Sequence, residues 1–166
     1  EIKCGVEVGK DVTIAELKEQ GYKAFYIAIG CQGGRLPGVD GEDADGIQIA
    51  VDFLHSATEN QNQKMNGKVV VIDCARTAHR FGANEVSMVC LESRDTMPAS
   101  VDEISETLEE NIAICNSWGP KEIIKDENNK VKAVVFKKCI RTIDPETKKF
   151  SPLYDEDETM TLYADN

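Results

Sequence analysis

The 166-residue sequence predicts an α/β fold in which a small parallel sheet carries an appended antiparallel β-meander. Two observations predict this fold. The first is a strand–helix–strand pattern over residues 67–90, which begins with four consecutive β-branched apolar residues. The second is a series of short segments at 121–125, 131–140 and 159–163, which alternate or cluster like antiparallel strands between turn residues.

The parallel part is predicted in detail by its apolar runs. Gly67–Ile72 is a buried strand, Asp73–Phe81 a helix that ends before Gly82, and Glu85–Cys90 a second buried strand. Two parallel strands joined by a helix within about 25 residues form a Rossmann-like βαβ unit, which is common where nucleotides bind. A helix over 100–110, N-capped by Ser100, and a strand over 112–115 extend this unit.

The connection between Ile72 and Asp73 contradicts that pattern. The predicted strand abuts the predicted helix with no turn residue between them. A strand cannot reverse into a packed helix over zero residues, because the crossover must clear the end of the strand. The missing turn is where a glycine-rich phosphate loop would lie.

The N-terminal third has its own predicted elements. Ile2–Val8 reads as a strand, and Thr13 with Glu16 forms a capping box at the start of a short helix. Tyr22–Ile29 reads as a buried strand ended by a glycine, and residues 47–54 as a short strand or a turn that leads into a helix.

The composition limits the classes of partner and compartment. The net charge is −11 and the isoelectric point about 4.7, so nucleic acid and anionic membranes are not expected partners. The six cysteines form no C-x-x-C motif, and His55 and His79 fit no ligand pattern, so no metal site is expected. Without a signal peptide or a membrane-length apolar run, we expect a cytoplasmic protein.

Residues 67–101 resemble the pyridine-nucleotide domain of the flavoproteins related to the small subunit of bacterial glutamate synthase. In that family a Val-Val-Val-Ile strand precedes a Gly-Gly-Gly-Asn-Val-Ala-Ile type of loop and a helix that begins Asp-Cys-Ala-Arg-Thr-Ala, which here is Asp73–Ala78. About seven residues of the family pattern are therefore absent after Ile72. We favour a loop left out of the printed sequence over a genuine deletion, and both alternatives stay open.

A second segment carries the same resemblance upstream. Ala28, Ile29 and Gly30, followed by a Leu-Pro-Gly-x-x-Gly-Glu-Asp loop over residues 36–43, are similar to the flavin domain of two-dinucleotide flavoproteins. The resemblance implies that residues 1–54 are a C-terminal piece of an FAD-binding domain, 55–66 a linker and 67–166 the NAD(P)-binding domain. It also implies that Ala28, Ile29 and Gly30 lie near FAD, which other parts of the flavoprotein chain would mainly bind.

The same resemblance implies candidate residues around the nicotinamide nucleotide. With the loop in place, backbone N–H groups at the end of the first strand and the start of its helix, at Ile72 and Asp73, would face the pyrophosphate. Arg76 follows one turn later, either as a solvated helix residue or as an anchor for the loop or a neighbouring carboxylate. Trp118 is more simply a packing residue than a stacking partner.

Glu92, Ser93 and Arg94 follow the second strand, where the type of nucleotide is selected. An acid at position 92 would accept hydrogen bonds from the hydroxyls of the adenosine ribose; the alternative is an exposed loop acid. NADPH-using relatives tend to carry arginines at positions 91 and 92, so an acid there favours NADH over NADPH. Ser93 and Arg94 match the family's Ser-Arg pair, and Arg94 could still hold a phosphate.

The function implied by the resemblance is transfer of a hydride from NAD(P)H to FAD. The electrons would then pass to iron–sulfur centres or a partner subunit, as in glutamate synthase. No catalytic acid or base is needed in such a reaction, because the cofactors carry the chemistry. A different hypothesis is a degenerate Rossmann module, without a glycine loop, that serves as a scaffold or docking domain.

Overall fold

The computed structural model describes residues 1–31, 33–62, 64–71 and 74–166. The chain divides into two compact units, Glu1–Gln32 and Gly33–Asn166. The domain limits expected from the sequence, at residues 54 and 67, stay a prediction.

The described residues of the first unit contain one helix, α1 (Ile14–Glu19). The capping box predicted for it is confirmed. The Thr13 hydroxyl accepts a hydrogen bond from the Glu16 N–H at 3.2 Å, and the Glu16 carboxylate accepts one from the Thr13 N–H at 2.7 Å. Both partners of such a box lie within three residues of each other in the chain, so the local sequence is enough to predict it.

The two strands predicted for the first unit are wrong. Residues 2–8 and 22–29 are outside any strand, and the apolar side chains of the second segment are exposed, with Tyr26 at 95% and Ile29 at 81%. A strand is defined by its hydrogen-bonded neighbour, and no described residue pairs with these segments along a ladder. High β-propensity therefore did not suffice to form a strand here.

Within its described residues, the second unit holds three helices and six strands. The helices are α2 (Ala50–Glu59), α3 (Ala75–Arg80) and α4 (Val101–Glu109); the strands are β1 (Lys68–Val71), β2 (Glu85–Cys90), β3 (Ala113–Asn116), β4 (Trp118–Lys125), β5 (Val131–Ile143) and β6 (Phe150–Tyr163). The expected α/β class is confirmed. Of the alternatives for residues 47–54, the helix is present: residues 47–49 lead into α2 and residues 50–54 lie within it. Ser100 caps α4 as predicted.

Strands β1, β2 and β3 form a parallel sheet in that order. Val69 of β1 lies opposite Val86 of β2, and both are buried under α2 and α3 together with Phe53 and Ala78. Alternate residues of a strand point to opposite faces, so the neighbouring positions face the other way. The helices therefore cover one face of the sheet, as the βαβ pattern predicted.

The other face packs against the antiparallel sheet β4–β5–β6. Val89 of β2 is buried with Val134 and Phe136 of β5, and Trp118 packs against the same cluster. The ammonium of Lys138 lies 4.6 Å from the centre of the Trp118 ring, a cation–π distance. The prediction that Trp118 serves packing is confirmed, and the β-meander is a second layer of the fold.

The last residues run beside the outer edge of β1. The Asp165 N–H donates to the Lys68 carbonyl at 2.8 Å, and the Val70 N–H donates to the Asn166 carbonyl at 3.2 Å. Gly67 has φ +80°, and a Cβ atom there would lie 2.3 Å from the Asp165 carboxylate. Only glycine fits at this position, because both the backbone conformation and the close approach exclude a side chain.

Asp144 organises the turn between β5 and β6. Its Oδ1 accepts hydrogen bonds from the backbone N–H of Thr147 at 2.8 Å, from the Thr147 hydroxyl at 3.0 Å and from the N–H of Glu146 at 3.1 Å. Arg141 donates to Oδ2 at 3.2 Å. These bonds, led by those from Thr147, lower the pKa of Asp144 to about 2.

This pKa predicts how the turn responds to acid. Since the folded pKa lies below the ordinary value of 3.8, the stability that Asp144 contributes is fully present above that value and is lost as pH falls towards 2. An NMR titration of the Asp144 carboxyl carbon should give a midpoint of about 2, and Asp144→Asn should abolish this part of the acid dependence. A midpoint near 3.8 would show that the turn does not hold the carboxylate.

Candidate functional site

A cleft of about 750 Å³ opens beyond the carboxyl end of β2. Its walls come from the start of α3, the end of β2, the loop before α4, α4 itself and the tip of the β5–β6 hairpin; they include Arg76, Cys90, Glu92, Pro98, Ile104 and Phe150. In open parallel sheets, ligands bind outside the carboxyl ends of the strands. The volume lies within the usual range for small-molecule sites, about 300–1,000 Å³.

Glu92 lies in this cleft with a fixed backbone and a free carboxylate. Its carbonyl oxygen accepts a hydrogen bond from the Ser117 N–H at 2.9 Å and one from the Asn116 amide at 3.3 Å. The residue is half-buried, and among the described residues its carboxylate has no hydrogen bond or ion pair. Because its backbone is fixed and its carboxylate has no partner among the described residues, Glu92 can accept hydrogen bonds from the hydroxyl groups of a ligand.

The charge of Glu92 also acts on its neighbours. Burial first, and then the Glu92 carboxylate, raise the pKa of the Cys90 thiol. The pKa of Cys139 is raised by burial too, with a smaller contribution from Glu92. Both thiols are therefore kept protonated rather than activated as nucleophiles.

Ser93 and Arg94 form the turn after Glu92 and do not line the cleft. The Ser93 carbonyl accepts hydrogen bonds from the N–H groups of Thr96 at 3.1 Å and Met97 at 3.0 Å, and the two hydroxyls of Ser93 and Thr96 are 2.9 Å apart. Arg94 is exposed, and within the described part of the chain its guanidinium has no partner. The structure thus assigns Ser93 to the turn and leaves Arg94 available to solvent or to a ligand.

Arg76 is bound to carboxylates of α4. Its guanidinium pairs with Glu106 and, at 3.0 Å, with Glu110, which also accepts a hydrogen bond from Arg80 at 2.8 Å. The hydrogen bond to Glu110 is the main reason that the pKa of Arg76 is raised. Of the two interpretations offered by the sequence, the anchor to a neighbouring carboxylate is what the structure shows. Arg76 fixes α3 against α4 at the side of the cleft.

Glu110 is the shared partner of this network. Its Oε1 accepts hydrogen bonds from both Arg76 and Arg80. Its Oε2 is buried and accepts no hydrogen bond within the described residues. Hydrogen bonds from Arg80 and then from Arg76 outweigh burial and lower the pKa of Glu110. The contribution of Glu110 to stability is therefore present above the ordinary pKa of a glutamate and is lost as pH falls through the lowered value.

We expect Glu110→Gln to lower the Tm at pH 7, because the two arginines would lose their shared negative charge. Glu109→Gln is the matched control. Glu109 lies beside Glu110 on the chain, and within the described residues its carboxylate accepts one hydrogen bond, from Ser105 at 3.3 Å. Thermal unfolding of both variants between pH 3 and 7 tests this. An equal Tm for the two variants would contradict a structural role for the network.

Two of the candidate residues, Ile72 and Asp73, lie outside the described residues. On either side of them, the described strand β1 runs to Val71 and α3 begins at Ala75, with Cys74 as its N-cap in the left-handed region at φ +58°. Cys74, predicted to lie within the helix, is instead its N-cap, and the predicted start at position 73 lies outside the described residues. The connection spans residues 72–74 and contains no glycine.

Ala28, Ile29 and Gly30 belong to the first unit. They are exposed, lie outside any helix or strand, and Gly30 has φ +67°. Their proposed proximity to FAD stays a prediction.

A second cavity, of about 330 Å³, lies beside β1 within the second unit. It is lined mainly by apolar residues such as Ile47, Ile49, Val71 and Phe136. No group of three or more potential metal ligands occurs among the described residues. Nor is any helix in the described ranges long and apolar enough to cross a membrane.

Sequence reasoning missed Phe150 as a cleft residue. It is 60 positions downstream of Cys90, where β2 ends, and it enters the cleft because it lies at the tip of the β5–β6 hairpin. An exposed aromatic residue next to a turn is a signal that could have been noted.

The comparisons with known proteins agree with this architecture. No family model matches the chain. The chain is 34% identical over 144 residues to the NADPH-Fe(3+) oxidoreductase subunit beta of Geobacter sulfurreducens, which covers 81% of the chain and 21% of that protein. It is 31% identical over 160 residues to the glutamate synthase [NADPH] small chain of Escherichia coli, which covers 86% of the chain and 33% of that protein.

The name of another relative gives NAD in place of NADPH. The NAD-dependent dihydropyrimidine dehydrogenase subunit PreT of Escherichia coli is 32% identical over 139 residues, which is 78% of the chain and 32% of that protein. The chain thus spans between about a fifth and a third of the length of these curated relatives.

Among solved structures, Mycobacterium tuberculosis FprA in complex with NADPH superposes with a TM-score of 0.72. It is 17% identical and covers 96% of the chain, which in turn covers 52% of FprA. At this identity the match establishes the fold alone.

Proposed function

Because the chain is homologous to one segment of the NADPH-dependent pyridine nucleotide-disulfide oxidoreductases, we propose that it is the nicotinamide-nucleotide-binding part of a flavin-dependent oxidoreductase. The observation that carries this proposal is the cleft beyond β2, with the unpaired Glu92 carboxylate in its wall. Position and chemistry both match a site for the adenosine ribose of a dinucleotide.

The described residues fit the two halves of a dinucleotide unequally. The adenosine half is matched by the cleft and by Glu92. The diphosphate is matched less well, because residues 72–74 include no glycine and α3 has only six residues. Glycines let the backbone approach a pyrophosphate closely, and the present connection lacks that freedom. We therefore propose that this chain recognises mainly the adenosine portion.

The hydride chemistry would belong to the cofactors. When bound, NAD(P)H supplies a hydride and FAD accepts it. The chain's own residues bind and orient the nucleotide, and no acid or base on the chain is required. We propose that FAD is held mainly by other parts of the flavoprotein, with Ala28, Ile29 and Gly30 nearby.

The identity of the electron acceptor and the cellular compartment are also proposals. The resemblance and the names of the relatives, several of which are subunits, support a glutamate synthase-like enzyme that passes electrons to iron–sulfur centres or a large subunit. The free thiols of Cys4, Cys31, Cys90, Cys115 and Cys139 support a reducing compartment, so we place the protein in the cytoplasm.

We propose NADH rather than NADPH as the preferred nucleotide. The relatives' names give NADPH or NADP(+) more often than NAD, so the proposed preference rests on the residues of this chain alone. The unpaired carboxylate of Glu92 supports NADH, because it would repel the 2′-phosphate that distinguishes NADPH.

A second candidate function is a scaffold or docking module. The absence of glycine from residues 72–74 favours it, because a nucleotide fold without its phosphate loop can persist for structural reasons alone.

Calorimetric titration of the chain with NADH, NADPH and ADP-ribose distinguishes the two candidates. The nucleotide-binding proposal predicts saturable binding that Glu92→Ala weakens and that Glu109→Ala, on the exposed surface of α4, leaves unchanged. No binding of any of the three ligands would contradict the proposal and support the scaffold.

A further inference from the structure

The tip of the β5–β6 hairpin extends beyond the sheet to which it belongs. Strand β4 pairs with β5 only as far as Lys138. Past that point, the described strands pair β5 with β6 alone, through Cys139 with Tyr154, Arg141 with Leu153 and Ile143 with Phe150. A two-stranded ribbon is marginally stable by itself, so pairing between β5 and β6 alone does not explain why the hairpin extends to the cleft.

The ribbon tip is held in one conformation. Asp144 accepts three hydrogen bonds from the residues of its own turn and one from Arg141 of β5. The Asp144 N–H also donates to the Lys149 carbonyl at 2.9 Å, and the Lys148 N–H donates back to Asp144 at 3.0 Å. Phe150 follows this turn directly, so its backbone position is fixed relative to β5.

Phe150 places an exposed aromatic ring on the wall of the cleft. The side chain is 61% exposed, yet it lines the same cleft as Glu92 and Arg76. Burying an aromatic side chain is strongly favourable, so a ring that is left in water beside a cleft has surface to offer a ligand. Met97, Pro98 and Ile104 add further apolar surface to the same cleft.

The polar and apolar parts of the cleft are complementary to one class of ligand. A nucleoside joins a hydroxyl-bearing ribose to a flat aromatic base. Glu92 offers a carboxylate to hydroxyls, and Phe150 offers a ring face or edge to a base. Bases stack on aromatic side chains without any requirement for sequence-specific hydrogen bonds.

We propose that Phe150 stacks on the adenine ring of the nucleotide, so that the hairpin tip forms one wall of the adenosine site. This inference rests on the proposed nucleotide-binding function and adds a specificity residue from the antiparallel sheet. The β-meander then contributes to recognition, in addition to covering the parallel sheet.

The test is titration with ADP-ribose, which contains adenine and both ribose groups but no nicotinamide. We expect Phe150→Leu to weaken binding about tenfold and Phe150→Trp to retain it, because only the latter keeps an aromatic face. Ile140→Ala is the matched control, since Ile140 is 60% exposed on the same hairpin but is not part of the cleft wall.

A spectroscopic readout separates stacking from a merely structural effect. In NMR spectra of bound ADP-ribose, the adenine H2 and H8 signals should move upfield with the unaltered chain and much less with Phe150→Leu. Unchanged affinity and unchanged adenine shifts in Phe150→Leu would overturn this inference while leaving the nucleotide function intact. Equal loss of affinity in Ile140→Ala would also overturn it. Failure of the unaltered chain to bind ADP-ribose would overturn the nucleotide function and this inference together.

Discussion

Insertion of Gly-Gly-Gly-Asn-Val-Ala-Ile between Ile72 and Asp73 should raise the affinity of the chain for NADH by about 100-fold. The inserted glycines would bring backbone N–H groups towards the diphosphate, which residues 72–74 cannot do without a glycine. Two charge-assisted hydrogen bonds are together worth about 3 kcal/mol, which corresponds to about 100-fold in affinity. Calorimetry on the two chains measures the difference directly.

The control for this prediction is an insertion of equal length that contains seven alanines. It lengthens the chain between Val71 and Ala75 by the same seven residues but denies the backbone the conformations that glycine allows. An equal gain from both insertions would show that length alone matters. No gain from the glycine insertion would place the diphosphate away from this connection and favour the scaffold.

Replacement of Glu92 by arginine should convert the chain from NADH preference to NADPH preference, with a change of about 100-fold in the ratio of the two dissociation constants. The substitution removes a charge that repels the 2′-phosphate and introduces one that binds it bidentately. The held backbone of Glu92, with its carbonyl bound to Ser117 and Asn116, should position the new side chain in the cleft.

Two variants separate position from net charge. Glu92→Gln should give an intermediate ratio, because it removes the repulsion without adding an attraction. Asp95→Arg adds the same positive charge in the exposed turn outside the cleft wall and should change the ratio little at physiological salt. Preference for NADPH in the unaltered chain would contradict the role assigned to Glu92.

Features fixed by residues close in sequence were predictable. The capping box predicted at Thr13 and the N-cap predicted at Ser100 have their partners three residues away, and both are present. The βαβ order and strand β2 followed from apolar runs whose neighbours lie in the same unit. The resemblance to the flavoproteins depended on the same contiguous motifs, and the relatives confirm it.

Features that depend on distant partners were not predictable in the same way. Residues 22–29 have the composition of a buried strand, but no described segment pairs with them. The sequence allowed two interpretations of Arg76. Its carboxylate partners became visible only in the fold, which brings α4 alongside α3. Phe150 reaches the cleft through a hairpin whose projection no local pattern encodes.

The central claim is that the cleft beyond β2 binds the nucleotide, and hydrogen–deuterium exchange with and without saturating ADP-ribose tests it most directly. The account predicts slower exchange in residues 74–77 and 90–97, with no change in residues 46–51 beside the apolar cavity. Protection confined to residues 46–51, or no protection anywhere, would contradict it.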